Sequence, residues 1–143
     1  MLDGITDWTD VVRPGVPSFR FVDEFSEADI PVIWADEPSG DWYIAYCTYQ
    51  PSYVKSLWGA ENILVTARWP DGQIADVHDV YTVMLHEMGH ALGLAGHSPS
   101  QTDIMHARIN RRQSGLSQRD RNTIRLLYAR PSGTPIRGAR RDQ

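Results

Sequence analysis

His86-Glu87-Met88-Gly89-His90-Ala91-Leu92-Gly93-Leu94-Ala95-Gly96-His97 is the stretch on which the reading of this chain turns. From Asp79 onward, Val80, Val83, Met84, Leu85, Met88, Ala91 and Leu92 recur at helical offsets. The spacing predicts one amphipathic helix that Gly93 stops. At 3.6 residues per turn, positions 86 and 90 are about 40° apart around the axis and about 6 Å along it, so both imidazoles leave one face. Two histidines so placed suit one zinc ion. Glu87 lies about 100° round the helix from His86, badly placed as a third ligand but able to reach a water beside the metal. The pattern H-E-x-x-H therefore predicts a metal-activated water attacking a carbonyl. Glu87 takes its proton as general base and hands it to the leaving amine as general acid.

A catalytic zinc wants three protein ligands and one open position. An unbroken helix would carry residue 97 more than about 10 Å along the axis from residue 90, so a turn at Gly93 is needed to bring His97 back. His97 is the expected third ligand, with Asp103 as the fallback. No ligand spacing links His78 or His106 to this set, and both read as loop or surface histidines. Cys47, the single cysteine, reads as a small buried hydrophobe and excludes an internal disulfide or a Cys-based zinc ribbon.

Working outward, 143 residues at 41% hydrophobic and 22% charged fit one globular domain with a real core. No apolar run reaches the roughly 18 to 20 residues of a membrane span, and residues 1–20 lack the features of a secretory signal. Charge is lopsided: residues 1–81 hold 14 acids and 4 bases, residues 82–143 hold 4 acids and 10 arginines. With little aromatic interleaving, the arginines read as a solvated helix face and a frayed tail, not a nucleic-acid footprint.

Residues 1–17 allow at most a short helix before the turn at Arg13-Pro14-Gly15-Val16-Pro17. Strands are expected over 19–25, 29–34, 42–48 and 63–66, with Pro31 marking an edge or strand start and turns at 37–40 and 70–72. Ser117, with Asp120 three residues on, caps a helix that ends before Pro131. The domain is expected over 1–130, followed by a disordered basic tail, 131–143.

His86 to His97 with Ser98, followed by Asp103-Ile104-Met105, resembles the zinc-binding motif and Met-turn of the metzincin metallopeptidases, and within that clan the matrixins. Leu116-Ser117-Gln118-Arg119-Asp120, with Ile124 and Leu127-Tyr128, is similar to the matrixin C-terminal helix. Trp8 to Asp10, Phe19 and Ala28-Asp29-Ile30 resemble its N-terminal subdomain. The chain departs in three places. Three residues, not two, separate Gly93 from the third histidine, an excess that Gly96 is expected to absorb as a bulge. Met105 is followed by His106-Ala107 where matrixins usually continue Tyr-Pro. Few residues precede Trp8 where matrixins have a full backing helix, which points to a truncated N-terminus. Residues 13–17 lack the cysteine of a matrixin latency segment.

The resemblance implies an α/β (α+β) zincin-like fold. It would have a twisted, mostly parallel sheet of four to five strands, an antiparallel edge strand lining the cleft, an active-site helix and a C-terminal helix. Residues 63–66 would be the edge strand, free to pair with an extended peptide, and Met105 would form the base beneath the metal. The implied activity is that of a zinc endopeptidase with one zinc on His86, His90 and His97 and Glu87 as general base and acid. Calcium is left open and is not predicted. A zinc-binding, catalytically silent peptide-interaction domain is the alternative, against which intact Glu87 argues; a nucleic-acid binder is a third class. The expected partner is an extended peptide or protein, with no nucleic acid and no membrane, and the chain a monomer. The family resemblance favours an extracellular location.

Overall fold

Asp76 and Asp79 start the longest element of the fold. The Asp76 carboxylate accepts from the Asp79 amide at 2.8 Å, and Asp79 accepts in return from the Asp76 amide at 3.2 Å. This reciprocal cap satisfies two otherwise orphaned donors and fixes helix entry at Val77, two residues before the apolar period begins. The computed structural model describes residues 2–35, 45–51, 58–69, 71–110 and 113–131. The side chains of 46–51 and 58–61 lie outside that description, and with them the expected burial of Cys47. The turn at 37–40, the start of the 42–48 strand, Pro70 and the tail 132–143 also fall outside it.

Three helices and three strands make up the described fold. They are α1 (Leu2–Thr6), β1 (Val32–Ala35), β2 (Ala45–Pro51), β3 (Trp58–Thr66), α2 (Val77–Ala91) and α3 (Gln118–Tyr128), with a single 3-10 turn at Phe25–Glu27. The sheet order is β1-β3-β2. β1 pairs parallel with β3, Val32 opposite Ile63, and β2 pairs antiparallel with β3, Ala45 opposite Val65. Two expectations are corrected here. Residues 63–66 lie in the central strand, not at an edge; the antiparallel edge strand among the described residues is β2. The described sheet is also evenly split between one parallel and one antiparallel ladder and is not mostly parallel. A short apolar run fits a strand covered on both sides as well as a cleft edge, so its composition does not choose between them.

A third correction concerns residues 19–25, which form no strand. They run without regular structure into the Phe25–Glu27 turn. Pro31, by contrast, directly precedes β1 as its fixed φ and missing N–H require, and its carbonyl accepts from the Ile63 amide at 2.9 Å.

Helix α2 is buried on every side through its middle: residues 82–90 are all buried, although an amphipathic helix is expected from the period. The sheet covers it, and so does the N-terminal segment. Trp8, fully buried, donates from Nε1 to the Leu85 carbonyl at 2.9 Å, and Val11, Val83, Met84, Leu85 and Ile124 complete the dense part of the core. Fully burying each such side chain contributes about 1.5 to 3 kcal/mol. Asp7, directly after α1, is tied to α2 by the Tyr81 hydroxyl, which donates to its carboxylate at 2.6 Å. α3 is tied to the N-terminal segment where Arg125 Nε donates to the Val11 carbonyl at 2.6 Å, so this arginine is structural and not merely solvated. No helix among the described residues is long and apolar enough to cross a membrane.

Candidate metal centre

His86 and His90 leave α2 on one face, as their spacing requires, and each ring is aimed by a backbone carbonyl. Nδ1 of His86 lies 2.7 Å from the Ile104 carbonyl and Nδ1 of His90 lies 2.6 Å from the Leu94 carbonyl. A carbonyl only accepts, so each Nδ1 carries the hydrogen and each Nε2 keeps a lone pair. Histidines that bind metals are oriented in this way.

The helix ends where the sequence says it should. Gly93 has φ of +104°, a left-handed conformation that side chains resist. The Gly93 amide donates to the His90 carbonyl at 2.8 Å and the Leu94 amide to the Gly89 carbonyl at 3.0 Å, the paired bonds of a Schellman motif. Leu94 thus closes the helix with its N–H and aims His90 with its C=O. The Ala95 amide donates to the Gly93 carbonyl at 3.0 Å, closing a three-residue turn, and Gly96 needs no left-handed backbone.

The loop then delivers His97. Its Nε2 lies 3.3 Å from Nε2 of His90. Two nitrogens bound tetrahedrally at about 2.0 to 2.1 Å from zinc are separated by about 3.3 Å, so this pair has the spacing of ligands sharing one ion. The ligand atoms of His86, His90 and His97 all lie within 4.8 Å of one another, a spread that side-chain rotation can close, and this is the group of metal-competent side chains found among the described residues. Asp103, the fallback ligand, is occupied elsewhere: it accepts from Ser98 Oγ at 2.5 Å and pairs with Arg119 at 3.0 Å. His78 lies exposed in the first turn of α2, not in a loop, and stacks on Tyr81, with ring centroids 6.0 Å apart. His106 is held in its loop by Arg108, whose amide lies 3.1 Å from the His106 Nδ1.

Met105 packs against Gly89 of α2. A β-carbon on Gly89 would collide with Met105 Sδ and would come within 2.9 Å of the Trp8 ring, so the glycine inside the helix makes room for sulfur. One residue that sequence reasoning reads only as a helix cap governs this loop. Asp120, 2% exposed, accepts from the amides of Ile104 at 2.9 Å, Met105 at 3.3 Å and Ser117 at 2.9 Å. The signal was the Ser117–Asp120 capping pair, but its second task depends on a loop 15 and 16 residues away. Through Ile104 the support continues to the metal face, because the Ile104 carbonyl aims His86.

Burial sets the charge state. It pushes the His86 imidazole down to about 3, with His90 lowering it further and the Ile104 carbonyl partly opposing. Burial likewise pushes His90 down to about 4, partly opposed by the Leu94 carbonyl. His97 is lowered by burial and by His106. The rings are therefore neutral at pH 7 and available as ligands. Glu87 is buried, at 5% exposure, on the same turn as His86 and does not belong to the three-histidine group, which leaves it outside the ligand set.

A mixed α/β domain with a glycine-ended helix, two histidines on it, a third beyond the turn and a methionine below defines a recognisable class. Residues 3–129 match the family model Peptidase_M10, described as Matrixin, and the chain belongs to the matrixin family. It is 29% identical over 131 residues to "Metalloendoproteinase 1" of Glycine max, an alignment that takes in 85% of this chain and 42% of that protein. The chain thus spans less than half the length of the curated relative it matches.

Proposed function

We propose that this chain is the catalytic domain, over residues 1–130, of a zinc-dependent endopeptidase, with His86, His90 and His97 as zinc ligands and Glu87 as general base and acid. The observation that supports it is the cluster of three neutral imidazoles, two of them aimed by carbonyls and one pair spaced at 3.3 Å. Bound zinc would supply Lewis acidity, lowering the pKa of a water and polarising a peptide carbonyl. Each of the three rings binds through a nitrogen lone pair. Glu87 accepts the proton of the attacking water and returns it to the amine nitrogen as the C–N bond breaks. Met105 fixes the floor of the site, and Asp120 and Leu94 hold the rings in place.

The substrate is an extended peptide or protein, cut outside the cell by a monomer that uses neither nucleic acid nor a membrane. The sheet of the whole domain has four to five strands, of which three are described above.

Zinc stoichiometry and cleavage of casein or a quenched peptide by the purified chain, beside Glu87→Ala and His97→Ala, test this. Glu87→Ala should keep one zinc and lose about 100-fold or more in cleavage, while His97→Ala should lose tight zinc binding. Full cleavage by Glu87→Ala, or tight zinc binding by His97→Ala, overturns the assignment.

A further inference from the structure

His97 differs from the other two imidazoles in how it is held. A carbonyl fixes Nδ1 of His86 and of His90, whereas the only contact of the His97 ring at hydrogen-bond distance, among the described residues, is from its Nε2 to Nε2 of His90. It is also the exposed member of the three. A ring with no second partner of its own takes its place from the backbone that carries it.

That backbone is fixed at the next residue. The Ser98 amide donates to the Met105 carbonyl at 2.7 Å, and Ser98 Oγ accepts from the Ser100 amide at 3.2 Å. The Ser98 hydroxyl donates to Oδ2 of Asp103 at 2.5 Å, the length of a charge-assisted bond to a carboxylate. Asp103 is placed in turn from α3. Its side chain is 2% exposed, and Arg119 Nε, on a side chain 60% exposed, meets the same Oδ2 at 3.0 Å. A buried carboxylate needs a partner of opposite charge, and Arg119, which the sequence offers only as part of a solvated helix face, is that partner. Arg119 and Asp120 are consecutive, so the first turn of α3 grips the loop twice. Asp120 acts through the amides of Ile104 and Met105 and so reaches His86; Arg119 acts through Asp103 and so reaches Ser98, beside His97.

We propose that Arg119, Asp103 and Ser98 are positioning residues for the third zinc ligand, a relay in which the arginine anchors the aspartate, the aspartate anchors the serine hydroxyl, and the serine fixes the backbone from which His97 reaches the metal. None of the three is itself a ligand. The inference rests on the reading of His97 as a ligand and deepens it; it needs neither Glu87 nor peptide cleavage.

The test measures zinc affinity of the full chain by chelator competition for the wild type, His97→Ala, Ser98→Ala, Arg119→Gln and Arg119→Lys. Ser98→Ala and Arg119→Gln should each weaken zinc about 10-fold. Arg119→Lys, which keeps the charge, should recover part of that loss. The double variant Ser98→Ala with Arg119→Gln should lose no more than the weaker-binding single variant, because members of one relay are not additive. Urea midpoints of the metal-free chains separate a loosened ligand from a loosened fold. Cobalt(II) in place of zinc supplies a spectroscopic reading: its visible absorption weakens as tetrahedral geometry is lost, and it should weaken most in His97→Ala and partly in Ser98→Ala and Arg119→Gln. Tight zinc binding by His97→Ala would remove the third-ligand reading and the proposal with it. The proposal alone is overturned if His97→Ala loses zinc while Ser98→Ala and Arg119→Gln keep wild-type affinity and cobalt spectrum, or if their losses simply add in the double variant.

Discussion

The sulfur of Met105 lies too close to Gly89 for a β-carbon to fit there. The metal-face helix and the loop beneath it are fitted to each other at this point, and neither can gain an atom alone. Gly89→Ala should therefore destabilise the fold by about 1 to 3 kcal/mol, despite the better helix propensity of alanine, because the interior becomes overpacked. Urea denaturation checks this, and Met105→Ala added to Gly89→Ala should recover part of the loss that the two changes would give if additive.

Asp120→Ala leaves three amides without their carboxylate acceptor, two of them in the loop under the metal face. Loss of about 2 to 5 kcal/mol is expected, since the acceptor is charged and buried. Zinc affinity should fall about 10- to 100-fold, because the Ile104 carbonyl that aims His86 is held through this carboxylate. Competition with a chelator measures the second effect separately from the first.

Gly93→Ala places a side chain in a left-handed turn and brings a β-carbon to 3.2 Å from Leu127. About 1 to 2 kcal/mol should be lost to backbone strain. Where the strain is relieved by opening the turn, the Leu94 carbonyl leaves His90, so zinc affinity should fall as well. Isothermal titration of the variant with zinc reads that coupling.

The depressed imidazoles give the metal-free protein a defined acid sensitivity. Their folded values, about 3 for His86 and about 4 for His90, lie below the unfolded value near 6.5, so the unfolded chain binds protons first. The stability associated with these groups is fully present above about pH 6.5. It is lost progressively as pH falls through the window down to about 3. Denaturation midpoints of the chelator-treated chain between pH 7 and 4 should fall with pH, and His86→Asn should flatten the slope.

If the three rings hold zinc, the loaded protein should resist unfolding by about 2.7 kcal/mol at a free zinc concentration 100 times Kd. Calorimetry with and without chelator measures the difference. A melting temperature that ignores zinc would contradict the assignment.

Most of the candidate centre was legible because its determinants are local. The four-residue spacing of His86 and His90, the stop at Gly93 and the Ser117 cap are written in short stretches, and the structure follows them. The sheet was less legible. Residues 19–22 and 63–66 each carry strand-forming side chains, but whether such a run is central, marginal or unpaired depends on neighbours distant in the chain. Asp120 shows the same limit from the other side: its cap is local and readable, while its hold on Ile104 and Met105 exists only after the loop has folded back. The burial of α2 on all sides also exceeds what its period implies, since Thr82, His86, Glu87 and His90 read as a polar face until the covering segments are placed.

The carbonyls that aim the first two imidazoles come from very different distances along the chain. Leu94 is four residues from His90, inside the turn that ends its own helix, whereas Ile104 is 18 residues from His86. Closing the longer loop costs more chain entropy and waits for α3 to arrive. Assembly of the centre is therefore expected to be stepwise, one imidazole oriented as soon as its helix terminates and the other only once the C-terminal half has docked.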